Sequence, residues 1–187
     1  NISVEEMNDV LSFKMHNGWK KKLIELSGAK KSDKVLDCAS GTGDLAILFK
    51  QVVGGEGDVI ATDFCDDMLK YAKPKAEKLN LDIKSELADV MNLQFEDNSF
   101  DVSSISYGIR NVDDTPTALK EMARVIKPGG KIAILETGQP PAYLRPIYYV
   151  VTRWMMPLMG RLLAKEKSAY QYLAETASKY PYGKEFI

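Results

Sequence analysis

The sequence predicts an α/β fold, a mostly parallel sheet with helices on both faces. Short apolar runs such as VLDC (35–38) and VIAT (59–62) alternate with segments of helical periodicity, the pattern of strands joined by crossover helices. A glycine pair, Gly41 and Gly43, closes the first run just before a helix begins. No apolar run reaches the roughly eighteen residues of a membrane span.

Each element follows from local pattern. Residues about 5–27 read as a helix, because Val10, Leu11, Met15, Trp19, Leu23 and Leu26 fall near one face; Trp19 is assigned to packing. The loop GAKKSDK leads to a first strand, KVLDCA (34–39), and a helix, GDLAILFKQVV (43–53), which GGEG stops. DVIATD (58–63) is a second strand. CDDMLKYAKPKAEKLN (65–80) reads as one helix with acids in its first turn, favourable to the helix dipole, and Pro74 is expected to kink it. LDIKSELA (81–88) and SFDVSSISYG (99–108) are the third and fourth strands. DTPTALKEMARVIKPGG (114–130) is a helix stopped by Pro128-Gly129-Gly130, and KIAILET (131–137) is the fifth strand. Beyond Thr137 the composition changes to aromatics, Met and Pro, with no acid before Glu166; SAYQYLAETASKY (168–180) then reads as a helix capped by Ser168. There is no internal repeat. The 187 residues suit one domain: a cap-helix region over 1–30, a cofactor-binding core over 31–137 and a helical substrate segment over 138–187.

Composition excludes several classes. With 25 basic and 26 acidic residues the chain does not read as a general nucleic-acid binder. Cys38 and Cys65 lie far apart in the sequence, which predicts a reducing compartment and no disulfide framework. No secretory signal pattern opens the sequence, so a cytoplasmic location is expected.

The glycine turn carries the chemistry. Strand, glycine-rich turn and helix form a nucleotide-binding corner, because glycine lets backbone approach a ligand. Asp63 ends the second strand twenty residues after Gly43, where an acid accepts bonds from ribose hydroxyls. Two cofactors fit. Gly41-x-Gly43-x-x-Ala46 satisfies the looser dinucleotide fingerprint. S-adenosylmethionine also fits, and it carries a cationic amino group and a sulfonium but no pyrophosphate. Asp37 suits that cation and repels a pyrophosphate; Asp44 is a second acid unsuited to phosphate. Asp89, in ADV (88–90), can accept from an adenine amino group, and Ser106 ends the fourth strand. Asp37, Gly41, Asp63, Asp89 and Ser106 therefore converge on the carboxyl edge of the sheet, where ligands of open parallel sheets bind.

VLDCASGTGD, ATDFCDDML, FEDNSFDV, GIRNV and ARVIKPGGK resemble the class I S-adenosylmethionine-dependent methyltransferases, a Rossmann-like fold. More narrowly, MNDVLSFKMHNGWKK, YGIRNVDD and SAYQYLAET resemble the ubiquinone/menaquinone biosynthesis C-methyltransferase family, and the likeness runs over 7–180. The resemblance implies S-adenosyl-L-methionine as cofactor, contacted by Thr42, Asp63, Asp89 with Val90, and Ser106; Phe64, next to Asp63, joins this set. It implies C-methylation of a polyprenylated quinol ring, demethylmenaquinol to menaquinol or a 2-polyprenyl-6-methoxy-1,4-benzoquinol. Another small-molecule O- or N-methyltransferase of the same fold, or a non-catalytic cofactor-binding scaffold, stays open. Several positions depart from the family. Ser40 stands for a glycine, which requires a negative φ there. Asp89 stands where Asn is frequent. The run Phe13-Lys14-Met15-His16-Asn17 keeps the His but loses the Arg that follows it, and Glu5 and Glu6 replace an aromatic–acid pair. The final strands of the family's usual sheet have no counterpart in this sequence.

Such a reaction needs a ring hydroxyl ionised, its carbon held in line with the methyl group, and a proton removed from that carbon. His16, the one histidine, is the candidate base. Arg110 can stabilise a quinolate oxygen and Asn111 can hold another. Tyr170 and Tyr172 do not share a helix face; Tyr170 is assigned to the substrate and Tyr172 to packing. No metal site is predicted. Residues 143–163 combine large apolar side chains with Arg145, Arg153 and Arg161. They read as an entrance for the polyprenyl tail resting on an anionic membrane, and equally as a helix packed on the sheet or on a partner subunit. The partners expected are the quinol, a peripheral membrane contact at the inner membrane face (the matrix side in a mitochondrion), and a homodimer or quinone-biosynthesis complex.

Overall fold

The computed structural model describes residues 15–136 and Tyr143, the first two by backbone alone. Trp19–Glu136 form one compact unit. Its elements run α1 (Met15–Ser27), β1 (Lys34–Cys38), α2 (Asp44–Val53), β2 (Asp58–Asp63), α3 (Asp66–Leu69), α4 (Ala72–Lys78), β3 (Lys84–Leu87), β4 (Phe100–Ser106), α5 (Thr115–Arg124) and β5 (Ile126–Leu135). The five strands form one sheet in the order β3-β2-β1-β4-β5, every pairing parallel. The order reverses between β1 and β4, which opens a crevice at their carboxyl ends.

The core explains the sequence. β1 is central, and Val35, Leu36 and Cys38 are all fully buried, as a strand covered on both faces requires. Leu45, Ala46, Phe49 and Val53 of α2 pack with Val35, Val59 and Ala61 in one cluster. Gly54 ends α2 in the left-handed region at φ 75°, its N–H donating to the Lys50 carbonyl. At the sheet edge, all four residues of β3 are exposed, and Lys84 and Glu86 are the kind of charge that blunts an open edge. The two cysteines form no disulfide: Cys38 is buried and Cys65 exposed. Among the described residues no helix is long and apolar enough to cross a membrane.

Three expectations change. The buried stripe of α1 is Leu23, Ile24 and Ser27, while Trp19 is 46% and Leu26 65% exposed. Adjacent Leu23 and Ile24 centre the stripe, and Leu26, about 200° round the helix from Ile24, falls outside it. Residues 65–80 form two short helices broken at Lys70 and Tyr71, not one. Pro74 lies in the first turn of α4, where a missing N–H loses no intrahelical bond, so it starts a helix and does not kink one. The helix before the last strand ends at Arg124, and β5 begins at Ile126, ahead of Pro128-Gly129-Gly130. Between the pairs Phe100↔Ile126 and Val102↔Lys131, one residue of β4 faces four of β5, and this irregularity takes up the proline, which has no N–H for the ladder.

Candidate active site

The carboxyl ends of β1 and β2 build one corner. Asp37 is fully buried one residue before the end of β1, in register with Ala61 on one side and Ser104 on the other. Its carboxylate accepts Ser104 Oγ at 2.7 Å and Ser40 Oγ at 2.6 Å. Burial pushes its pKa up to about 6, against the pull of the two hydroxyls and of Lys20. Ala39, not Ser40, takes the left-handed conformation at φ 47°, so the serine meets its requirement and adds a donor that glycine lacks. Gly41 follows at φ 57°, and its N–H donates to Asp63 Oδ2 at 2.8 Å. Asp63 Oδ1 accepts the Cys65 N–H at 2.9 Å. Gly43, at φ 81°, lies so close to α4 that a Cβ there would sit 2.5 Å from Ala72 Cβ.

The neighbouring turns are tied to that corner. The Ala88 N–H donates to the Asp63 carbonyl at 3.0 Å, which sets the exit of β3 beside that of β2. Asp89 Oδ1 accepts the Met91 N–H at 2.8 Å and its carbonyl accepts the Asn92 N–H at 2.9 Å, a compact turn with Val90 half-buried at its tip. Phe64 is 80% exposed beside Asp63. Lys75 Nζ donates to Thr42 Oγ1 at 3.0 Å and to Asp44 at 2.8 Å, and Lys20 reaches Asp44 at 3.0 Å. Burial alone would raise Asp44, but Lys75 and Lys20 hold its carboxyl below the usual carboxylate range. The charge of Asp44 is thus met by two lysines.

At the exit of β4 the chain makes a tight bend. Tyr107 is left-handed at φ 56°, and Gly108 packs so closely on β1 that a Cβ would lie 2.5 Å from Ala39 Cβ. A short 3-10 turn, Ile109–Asn111, follows. Arg110 pairs there with Glu136, the residue after β5, in a part-buried setting, the two side chains keeping 7% and 11% exposure. The Ser106 and Tyr107 hydroxyls are buried with no hydrogen-bond partner.

A family model described as the ubiE/COQ5 methyltransferase family matches residues 2–187. The chain belongs to the ubiE/COQ5 methyltransferase family. Over 182 residues, 96% of the chain and 77% of the relative, it is 50% identical to a ubiquinone/menaquinone biosynthesis C-methyltransferase of Bdellovibrio bacteriovorus. It is 40% identical to a demethylmenaquinone methyltransferase of Staphylococcus aureus over 97% of the chain and 75% of that protein. A crystal structure of a SAM-dependent methyltransferase from Aquifex aeolicus matches with a TM-score of 0.60 at 26% identity, covering 65% of each chain, so the chain spans just under two thirds of that structure. The chain is a methyltransferase of class I fold, and S-adenosylmethionine is its cofactor.

The corner fits the family's cofactor on its own terms. It offers a buried carboxylate, a glycine backbone open to close approach, a second acid one strand away and the unpartnered Ser106 hydroxyl. Of the expected cofactor residues, Asp37, Asp63 and Ser106 lie at the carboxyl ends of β1, β2 and β4, and Gly41, Thr42, Gly43, Phe64, Asp89 and Val90 on the turns that follow β1, β2 and β3. Arg110 and Asn111 join them after β4. His16 falls in the first turn of α1, by backbone alone, and Tyr170 lies outside the described residues, as does 143–163 apart from the exposed Tyr143. Ser104 and Glu136 were not anticipated. Ser104 is readable as the inward residue two before Ser106, and Glu136 as an acid at a strand's carboxyl end, like Asp63.

Proposed function

We propose that the chain transfers the methyl group of S-adenosylmethionine to a ring carbon of a polyprenylated quinol, converting demethylmenaquinol to menaquinol, C-methylating 2-polyprenyl-6-methoxy-1,4-benzoquinol, or both. The observation that carries this reading is the 50% identity, over 96% of the chain, to a C-methyltransferase named for both quinones. When bound, the cofactor supplies an electrophilic methyl group on a sulfonium. Asp37 would hold its amino group, Asp63 its ribose hydroxyls, and Asp89 with Val90 its adenine; Thr42, Phe64, Ser106 and the backbone of Gly41 and Gly43 would line the same corner. The ring carbon is a weak nucleophile until a ring hydroxyl ionises. Arg110 favours that ionised oxygen through its fixed charge, Asn111 holds the second oxygen, His16 takes the proton from the ring carbon, and Tyr170 orients the ring. Residues 143–163 would rest on the bilayer that holds the polyprenyl tail, with Arg145, Arg153 and Arg161 at the anionic headgroups. The same apolar surface would serve a homodimer. Methyl transfer from labelled cofactor to a panel of benzoquinols and naphthoquinols tests the proposal. C-methylated product supports it, and O-methylation alone, or no transfer to any quinol, overturns it.

A further inference from the structure

Tyr107 is built at a cost that its ring does not explain. It follows the last residue of β4 in the left-handed region, at φ 56°, which bulky side chains rarely adopt and which clusters at functional sites. Its N–H is fixed to the Leu135 carbonyl at 2.7 Å, so β5 holds the residue in that conformation. Its hydroxyl is buried and has no hydrogen-bond partner. A buried donor left unmet is destabilising, and Phe would fill the same space without it. The hydroxyl, more than the ring, therefore calls for a ligand.

The surroundings say which kind. Tyr107 stands three residues before Arg110, at the point where the strand order reverses. Burial, and then the charge of Glu136, push its pKa up to about 12, while Arg110 pulls the other way. The phenol thus keeps its proton at neutral pH, and its O–H is available as a donor. A protonated phenol and a guanidinium at one strand exit form a donor pair suited to an oxygen that gains negative charge. We propose that the Tyr107 hydroxyl donates a hydrogen bond to a ring oxygen of the acceptor substrate and is a catalytic residue beside Arg110. This rests on the quinol reading above. The bond strengthens as the ring oxygen becomes anionic, and the proton stays on the tyrosine throughout.

Tyr107→Phe isolates the hydroxyl, because ring, backbone conformation and packing are kept. Three quantities are compared with the wild type: turnover of a short-chain demethylmenaquinol, the dissociation constant of S-adenosylhomocysteine by calorimetry, and the melting temperature. The expected result is a kcat lower by about tenfold to a hundredfold, cofactor-product affinity unchanged within about twofold, and a melting temperature higher by about 2–4 °C from loss of the unmet donor. A variant with wild-type kcat overturns the proposal. So does weakened S-adenosylhomocysteine binding at unchanged saturated turnover, which would assign the hydroxyl to the cofactor, or a fall in melting temperature that accounts for the lost activity. A wild type inactive on the quinol removes the quinol reading, and the role of Tyr107 with it; an active wild type with an equally active variant removes Tyr107 alone.

Discussion

Asp63, at the end of β2, accepts the Gly41 amide at 2.8 Å. The acid proposed to meet the cofactor's ribose already shapes the glycine turn, and through the Cys65 amide it also starts α3. Asp63→Ala therefore removes the proposed ligand contact and two loop bonds together. It is expected to weaken S-adenosylhomocysteine binding by roughly 1.5–3 kcal/mol and also to lower the melting temperature. Asp63→Asn keeps one acceptor and should lose less of both. Calorimetry and thermal melts on the two variants check this; equal affinity of Asp63→Ala and wild type would exclude the ribose contact.

Asp37 gives the fold a pH dependence of unusual sign for a carboxylate. Burial raises its folded pKa to about 6 from an ordinary 3.8. Between those values the folded state binds a proton that the unfolded state has released, so this group makes stability fall as pH rises through the window. The full effect, on the order of 3 kcal/mol, is present above about pH 6. Asp37→Asn should flatten the profile measured by urea unfolding from pH 4 to 7.5. In the same range S-adenosylhomocysteine affinity should rise with pH in the wild type, as the carboxylate becomes available to the ligand's cation, and not in the variant. An unchanged unfolding profile in Asp37→Asn would show that another group sets the slope.

Arg110 is bound into a part-buried pair, and its removal takes away more than the charge proposed to act in catalysis. Arg110→Ala removes the guanidinium that faces the Glu136 carboxylate and is expected to lower stability as well as turnover. The double variant Arg110→Ala, Glu136→Gln should recover much of the stability and none of the turnover. Urea unfolding with steady-state rates separates the two; recovered activity in the double variant would assign Arg110 a structural role only. His16→Ala, in turn, should flatten the acid limb of the rate–pH profile, and an unaltered limb in an active variant removes His16 as the base.

The two glycines of the turn are expected to respond differently to alanine. At Gly43 a Cβ would meet Ala72 Cβ at 2.5 Å and Cα at 3.0 Å, with φ at 81°. Gly43→Ala must push α4 away and should destabilise by about 2–4 kcal/mol, strain and overpacking combined. At Gly41 the added Cβ would find only Met68 Cε, at an ordinary 3.6 Å. Gly41→Ala should cost about 1–2 kcal/mol, from its φ alone. Thermal denaturation of both variants gives the order, and a Gly41 variant less stable than the Gly43 variant would contradict it.

Vesicle sedimentation addresses the proposed membrane contact. Each arginine of 143–163 near an anionic surface should add roughly 1 kcal/mol, weakening with salt. Wild type should therefore sediment with anionic vesicles at low salt and release at high salt. Arg145, Arg153 and Arg161 changed together to Gln should bind poorly. Equal binding by the triple variant would leave the segment a packing or dimer element.

Sequence patterns that act within one strand or one turn were legible. β1 and β2 lie where their apolar runs put them, and the glycine turn, Asp63 and the ADV turn meet at one sheet edge, because βα units all exit on the same side. What stayed hidden depends on pairings across the sheet. Whether Pro128-Gly129-Gly130 stops a helix or sits inside β5 is decided by how β5 registers against β4. The partner of Arg110 lies 26 residues away on the neighbouring strand's exit. The two lysines on Asp44 come from α1 and α4, and nothing in the spacing of the glycine motif brings them there.

Ala39 and Gly108 share a volume that holds one methyl group and no second. The two positions therefore form a single heritable unit, although they are far apart in the chain. A carbon added at 108 has to be given up at 39, where Ala39→Gly would also relieve a left-handed φ of 47°. Gly108→Ala alone is blocked, whereas Ala39→Gly meets no such obstacle and opens the way for it. Among descendants of this chain a side chain at 108 should appear only where 39 has already become glycine.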